Sequence, residues 1–161
     1  MRHHLVRSLL VSVACAGLVA LSASAAGAKS ACALLTADEI AEAVGHPVTV
    51  DPDPSGGDPD AGDHCVWTKD GSVAIELSLE PPTTDPARAA GAYREVRDDA
   101  FGSGAAPSAV PGLGDEALYR DFEKVKGGAI VVRKGLVVLG ISGTQTKDAI
   151  VSLARLAAGR L

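Results

Sequence analysis

The first 28 residues constrain this chain most, because they read as a segment that the folded protein does not contain. A basic stretch (Arg2, Arg7) precedes an apolar run over residues 9–21, and small residues at A-x-A spacing follow. That is the layout of a secretory signal peptide. Cleavage fits after Ala25 (Ala23-Ser24-Ala25) or after Ala28 (Ala26-Gly27-Ala28), and the second cut leaves Lys29 at the new terminus. The apolar run is shorter than the roughly 20 residues that span a bilayer, so no stable membrane insertion is expected after cleavage. Ser12-Val13-Ala14-Cys15 loosely resembles a lipid-attachment box, but a cut before Cys15 would leave an unusually short apolar region and an Ala-rich apolar stretch at the start of the mature chain. The expected location is extracytoplasmic, secreted or in the cell envelope.

Export sets the chemistry of the cysteines. Cys15 leaves with the signal, and Cys32 and Cys65 remain as an even pair in an oxidising compartment, so a Cys32–Cys65 disulfide is the default. Closing a loop of about 34 residues stabilises a fold by roughly 3–4 kcal/mol in the chain-entropy account. A redox-active pair would need CxxC-like spacing or an activating environment. Residues 29–161 suffice for a single domain. They carry 13 basic and 20 acidic side chains, a net charge of about −7. Nucleic acid is therefore not an expected partner, since its binding rests on Lys and Arg neutralising phosphates. Nor does the chain offer a basic amphipathic helix for anionic lipid. With 47% hydrophobic residues but only 3% aromatic, the core is built from Ala, Val, Leu and Ile around one Trp.

Along the mature chain, Thr36 and Glu39 form a capping box, and Gly45 then Pro47 stop the helix they open, which predicts a helix over residues 37–44. A short extended segment, residues 47–50, leads into DPDPSGGDPDAGD (residues 51–63), an acidic loop dense in Pro and Gly. Residues 64–69 and 73–79 read as a hairpin, the second strand alternating Val73, Ile75, Leu77 and Leu79 with Ala74, Glu76, Ser78 and Glu80. A three-residue turn at residues 70–72 would place Cys65 and Trp67 on the face of Val73 and Ile75, where both find burial. Asp85 as N-cap and Pro86 at the first position open a second helix that runs to about Phe101, and residues 102–114 read as a loop. Residues 115–121, 128–133 and 136–142 give three more strands, and residues 146–161 a closing helix.

The fold expected from this order is α+β, an antiparallel sheet of about five to six strands with helices packed on one face. Lys69-x-Gly71-x-Val73-x-Ile75-x-Leu77 matches Arg133-x-Gly135-x-Val137-x-Leu139-x-Ile141 at a constant offset of 64. A duplicated strand-strand-helix unit would give this echo, and so would two ordinary basic-Gly hairpins.

CALLTADEIAEAVG (residues 32–45), CVW (65–67) and VPGLGDEALY (110–119), closed by a Val-rich hairpin and a C-terminal helix, resemble the small exported and lipoprotein domains of uncharacterised function common in actinobacteria. The resemblance covers nearly the whole mature chain and implies an α+β fold with the two cysteines paired; it implies no activity. The chain departs from many such proteins in lacking a convincing lipid-attachment box.

Residue patterns for catalysis are thin. Gly140-Ile141-Ser142-Gly143 is not a nucleophile elbow, because its second Gly comes one residue early. His46 and His64 share no spacing that suits zinc or a catalytic pair. VPGLGD (110–115) lacks the Lys of a phosphate loop and precedes a strand, so a tight turn is its expected role. Asp51-x-Asp53-x-Ser55-Gly56 matches the opening ligands of a calcium loop. However, the closing position falls on Gly62, and Pro52, Pro54 and Pro59 restrict the backbone. The expectation is a solvated acidic loop, with no metal and no cofactor.

The remaining candidate is an apolar surface. Taking Val137, Leu139 and Ile141 inward, by analogy with Val73, Ile75 and Leu77, leaves Leu136 and Val138 outside beside Val131. Exposed contiguous apolar surface marks a partner site or a homodimer interface. The alternative is that a loop over residues 105–110 covers it, or that the strand is buried on both faces. The expected role is a non-enzymatic binding or interaction domain for a protein or envelope component. The runner-up is an envelope enzyme or enzyme accessory, which a polar pocket with perturbed titratable groups would favour.

Overall fold

A computed structural model describes residues 30–51, 63–102, 104 and 106–161. The strands are β1 (Thr49–Asp51), β2 (Asp63–Lys69), β3 (Ser72–Leu79), β4 (Ser108–Ala109), β5 (Glu116–Asp121), β6 (Gly128–Lys134) and β7 (Val137–Gly143). They form one open antiparallel sheet in the order β1-β2-β3-β7-β6-β5-β4. The helices are α1 (Ala31–Leu34), α2 (Ala37–Val44), α3 (Pro86–Phe101) and α4 (Lys147–Gly159). The sheet thus has seven strands rather than five to six. The extra one, β4, lies in the stretch read as a loop, where two residues pair with Tyr119 and Leu118; so short a strand leaves no periodicity to read.

Local chemistry explains the helix ends. The Thr36 side chain accepts from the Glu39 N–H while the Glu39 carboxylate accepts from the Thr36 N–H at 2.9 Å, and Gly45 closes α2 in the left-handed region at φ 76°. Asp85 caps α3 by accepting from the Ala87 N–H at 2.8 Å. Thr146 does the same for α4.

Trp67 pairs with Ile75 and Cys65 with Leu77, so all four lie on one face as the burial argument requires. The device differs from the expected three-residue turn. Lys69 pairs with Ser72 across a two-residue turn, Asp70 and Gly71 both having positive φ, and a bulge between Trp67 and Thr68 supplies the one-residue shift. A two-residue turn of this kind matches the twist of the strands it joins, and the bulge then keeps the Trp in the core.

Helices occupy both faces of the sheet, not one. On the first face α1, α2 and α4 cover Trp67, Ile75, Leu77, Ile130, Leu139 and Ile141. On the second, α3 lies across β6 and β7 over Ala129, Val131 and Val138. Consecutive residues of β6 and β7 therefore point into two different cores, which is why these strands are apolar throughout.

Pairing between β3 and β7 is symmetric about Leu77 and Ile141, which face each other directly and are related by the same offset of 64. Within the hairpins the offset does not hold: Trp67 pairs with Ile75, whereas Val131, 64 residues on, pairs with Gly140, and the two residues face different cores. Their helices do not follow it either, since α3 and α4 take opposite faces.

Candidate functional site

Cys32 and Cys65 are joined, with S–S 1.98 Å and Cα atoms 5.1 Å apart. The bond ties α1 to the fully buried centre of β2.

Val131 and Val138, expected on an outer apolar surface, are 0% and 1% exposed beneath α3. Leu136, at the β6–β7 turn, is partly exposed, so the surface that would have carried a homodimer is reduced to one side chain. The cover is α3; the loop expected there begins at residue 105, outside the described residues. Asp51 ends β1 exposed at the sheet edge, while Asp53 and Ser55 lie outside the described residues. Among the described residues, no group of three or more His, Cys, Asp or Glu side chains is placed to hold a metal ion, and no helix is long and apolar enough to cross a membrane.

VPGLGD forms the turn into β5. The Asp115 carboxylate accepts from the Gly135 N–H at 2.8 Å and lies 3.4 Å from Arg133, whose guanidinium also reaches Glu116 at 3.2 Å. This locks the turn onto the β6–β7 hairpin. Gly114 needs both its positive φ and its missing side chain, because a Cβ there would sit 2.5 Å from the Arg133 carbonyl oxygen.

Because α3 packs mainly on β6 and β7, it stops short of β3, and a cleft of about 410 Å³ lies between its edge and the second face of β3 and β2. Strand alternation delivers Glu76 and Ser78 from β3, Glu80 just after it and His64 from β2 to one side. Val96 and Asp99 of α3 form the other, with Phe122 closing one end. Ser142 of β7 lies opposite Glu76 in the floor. Gly140 completes that floor, where a Cβ would come within 2.7 Å of Ser78 Oγ and 3.5 Å of Val96.

His64 Nδ1 lies 3.5 Å from Glu76 Oε1. Burial raises the Glu80 carboxyl above its ordinary range, the nearby charges of Glu95 and Asp99 add to the effect, and His64 opposes it. No Lys or Arg lines the cleft among the described residues. It combines apolar walls with converging polar groups, the composition of small ligand sites, and its field is negative, which favours neutral or cationic groups over anions.

Reading the sequence alone missed this cleft. Glu76, Ser78 and Glu80 are the alternate positions of an amphipathic strand and read as a solvated face. Pairing His64 against Ser78 was the one signal that could have gathered them.

A second cluster lies on the first face and is structural. Arg160 donates to the Leu34 carbonyl and to Glu39 Oε2 at 2.8 Å, with a second short contact to Glu39 Oε1. It holds Glu39 at about 2, with Thr36 contributing. That network fastens the end of α4 to α1 and α2. No protein-family model matches the chain, and no curated protein matches it either.

Proposed function

We propose that the chain is a non-enzymatic binding domain exported to the cell envelope through a signal peptide in residues 1–28, and that its ligand site is the cleft between α3 and β3. The observation that supports this reading is the convergence of His64, Glu76, Ser78 and Glu80 against the apolar wall of Val96 and Phe122 in one concave site. The partner is a protein or envelope component that presents neutral or positively charged groups, since an anion would meet Glu76, Glu80 and Asp99 together. The likeness of residues 32–45, 65–67 and 110–119 to exported actinobacterial domains supports the same location.

Two measurements test the reading. Intact mass of the secreted protein should show a chain starting at Ala26 or Lys29 without lipid; a diacylglycerol adduct on Cys15 would refute the export route. Amide spectra of the secreted protein, titrated with solubilised envelope fractions, should shift at Ser78, Val96, Gly140 and Ser142. Shifts confined to α4 or β1 would place the site elsewhere.

An enzymatic reading has one observation in its favour, the His64–Glu76 pair beside Ser78 and Ser142. A fluorophosphonate probe decides it. Covalent labelling of either serine, abolished by His64→Ala, would replace the binding reading with a hydrolytic one.

A further inference from the structure

A second recess lies on the other flank of α3. The cleft meets the helix at Val96, Asp99 and Ala100, whereas Tyr93 and Arg97, four residues apart and so on one line of the helix, belong to a groove between α3 and the turn into β5. That groove has a volume of about 410 Å³ and is closed opposite the helix by residues 109–118. Its far rim is held in place, because Arg133 clamps the carboxylates of Asp115 and Glu116.

The groove contains a polar group that the fold itself does not use. Tyr93 is 5% exposed and its ring belongs to the second core with Val131 and Val138, yet among the described residues its hydroxyl has no hydrogen-bond partner. Burial raises that hydroxyl, so it keeps its proton, and the charges that act on it are Glu116, Arg97 and Arg133, of which the first two line the groove. The hydroxyl therefore sits at the polar side of the recess. A side chain so buried normally has its polar atom paired, and here only something that enters the groove can supply the partner. Arg97 adds a second open donor. Its Nε and Nη2 reach Asp98 at 2.8 and 2.7 Å, which leaves Nη1 without a partner among the described residues.

Charge and hydrogen-bonding capacity select the occupant. Asp98 balances Arg97, and Arg133 offsets one of the two rim carboxylates, so the groove has no surplus of positive charge to hold an anion. Donors and carboxylate acceptors stand together beside the apolar surface of Val110, Pro111 and Leu118. A sugar carries the matching mixture, with hydroxyls that both donate and accept at its edges and C–H groups on its faces. A peptide would pair along a strand edge, and the strand at this rim, β4, is two residues long.

We propose that this groove is a second ligand site, which takes a neutral saccharide whose hydroxyl groups pair with the Tyr93 hydroxyl and the Arg97 guanidinium. The groove and the cleft lie on opposite flanks of α3, and the role of one does not depend on the role of the other.

Amide spectra of the secreted protein, titrated separately with maltotriose, tri-N-acetylchitotriose, inorganic phosphate and acetyl-trialanine amide, test the proposal. At least one of the two saccharides should shift Tyr93, Arg97, Gly112 and Leu113 at millimolar concentration while Ser78 and Ser142 of the cleft do not move. Tyr93→Phe should weaken that binding about three- to tenfold, the worth of one hydrogen bond, without lowering Tm, because the lost hydroxyl has no partner in the fold. Arg97→Gln should weaken it similarly, and its partly exposed position keeps the test valid should the first variant fold poorly. No shift from either saccharide, shifts confined to the cleft, or shifts from phosphate or the peptide in their place would overturn the proposal, as would saccharide binding that both variants retain in full. Envelope fractions that shift the cleft amides alone bear on the cleft and leave this result unchanged.

Discussion

Val138 and Leu136 sit two residues apart and should respond in opposite ways to a negative charge. Val138 is 1% exposed beneath α3, whereas Leu136 is 37% exposed at the β6–β7 turn. Val138→Glu forfeits the burial of a valine, about 1.5–3 kcal/mol. It also places a carboxyl beside Ala129, Val131 and Tyr93, opposite Arg133 in the β6–β7 register, whose guanidinium is already engaged by Asp115 and Glu116. A carboxyl fully buried in apolar surroundings is forced to stay protonated by a shift of about 3–5 pH units, and each unit amounts to about 1.4 kcal/mol. With α3 in place, the combined loss at neutral pH is therefore several kcal/mol, a large part of the roughly 5–15 kcal/mol that holds a domain folded. If α3 lifts instead, the charge reaches water and the loss is limited to the seating of that helix, with a smaller denaturant slope as its sign. Leu136→Glu should stay within about 0.5 kcal/mol of wild type. Urea unfolding followed by the fluorescence of Trp67, fully buried in the first core, measures both. A Val138→Glu variant as stable as wild type would mean that α3 does not cover this face, and the account of the second core would fail.

Three further substitutions probe other parts of the structure. Replacing Cys32 and Cys65 together by Ser should cost about 3–4 kcal/mol in the same unfolding assay; an unchanged midpoint would show that the bond does not constrain the unfolded chain. Glu39 is held at about 2 against an ordinary 4.5, so its contribution is complete above 4.5 and is lost as pH falls toward 2. Glu39→Gln should flatten that acid limb of Tm against pH. Glu80 has the opposite sign. Its carboxyl is raised, mainly by burial, so stability falls as pH rises from 4.5 through the raised value, and Glu80→Gln should raise Tm at neutral pH; a lower Tm would contradict the cost of holding an ionised carboxylate there. Gly140→Val should leave the fold intact, since Ser78 can turn its hydroxyl away, while filling the cleft floor and abolishing the amide shifts caused by envelope fractions.

Much of the local structure was legible because each signal was short in range. Thr36, Glu39 and Gly45 mark both ends of α2, Asp85 and Pro86 open α3, and the alternation from Val73 to Leu79 orients β3. Legibility stopped where a decision depended on distant residues. The alanines of α3 announce a helix but not which face of the sheet it crosses, and that choice decides whether Val131 and Val138 are surface or core. The run Ala129-Ile130-Val131-Val132 is equally compatible with one buried face and a sticky one, or with two buried faces. The bulge at Trp67 and Thr68 leaves no mark in composition. The cleft is the extreme case, since β2, β3, β7 and α3 each contribute one or a few residues that read separately as solvated polar positions. It exists only because α3 stops short of β3.

The central claim, that this cleft engages an envelope component, is tested most directly by photo-crosslinking in the producing cells. A photoreactive phenylalanine analogue at Ser142, in the cleft floor, should form a discrete higher-mass adduct on irradiation. The same group at Arg155, exposed on α4, should form none, and Gly140→Val should remove the Ser142 adduct. No adduct at Ser142, or adducts of equal yield at both positions, would contradict the account.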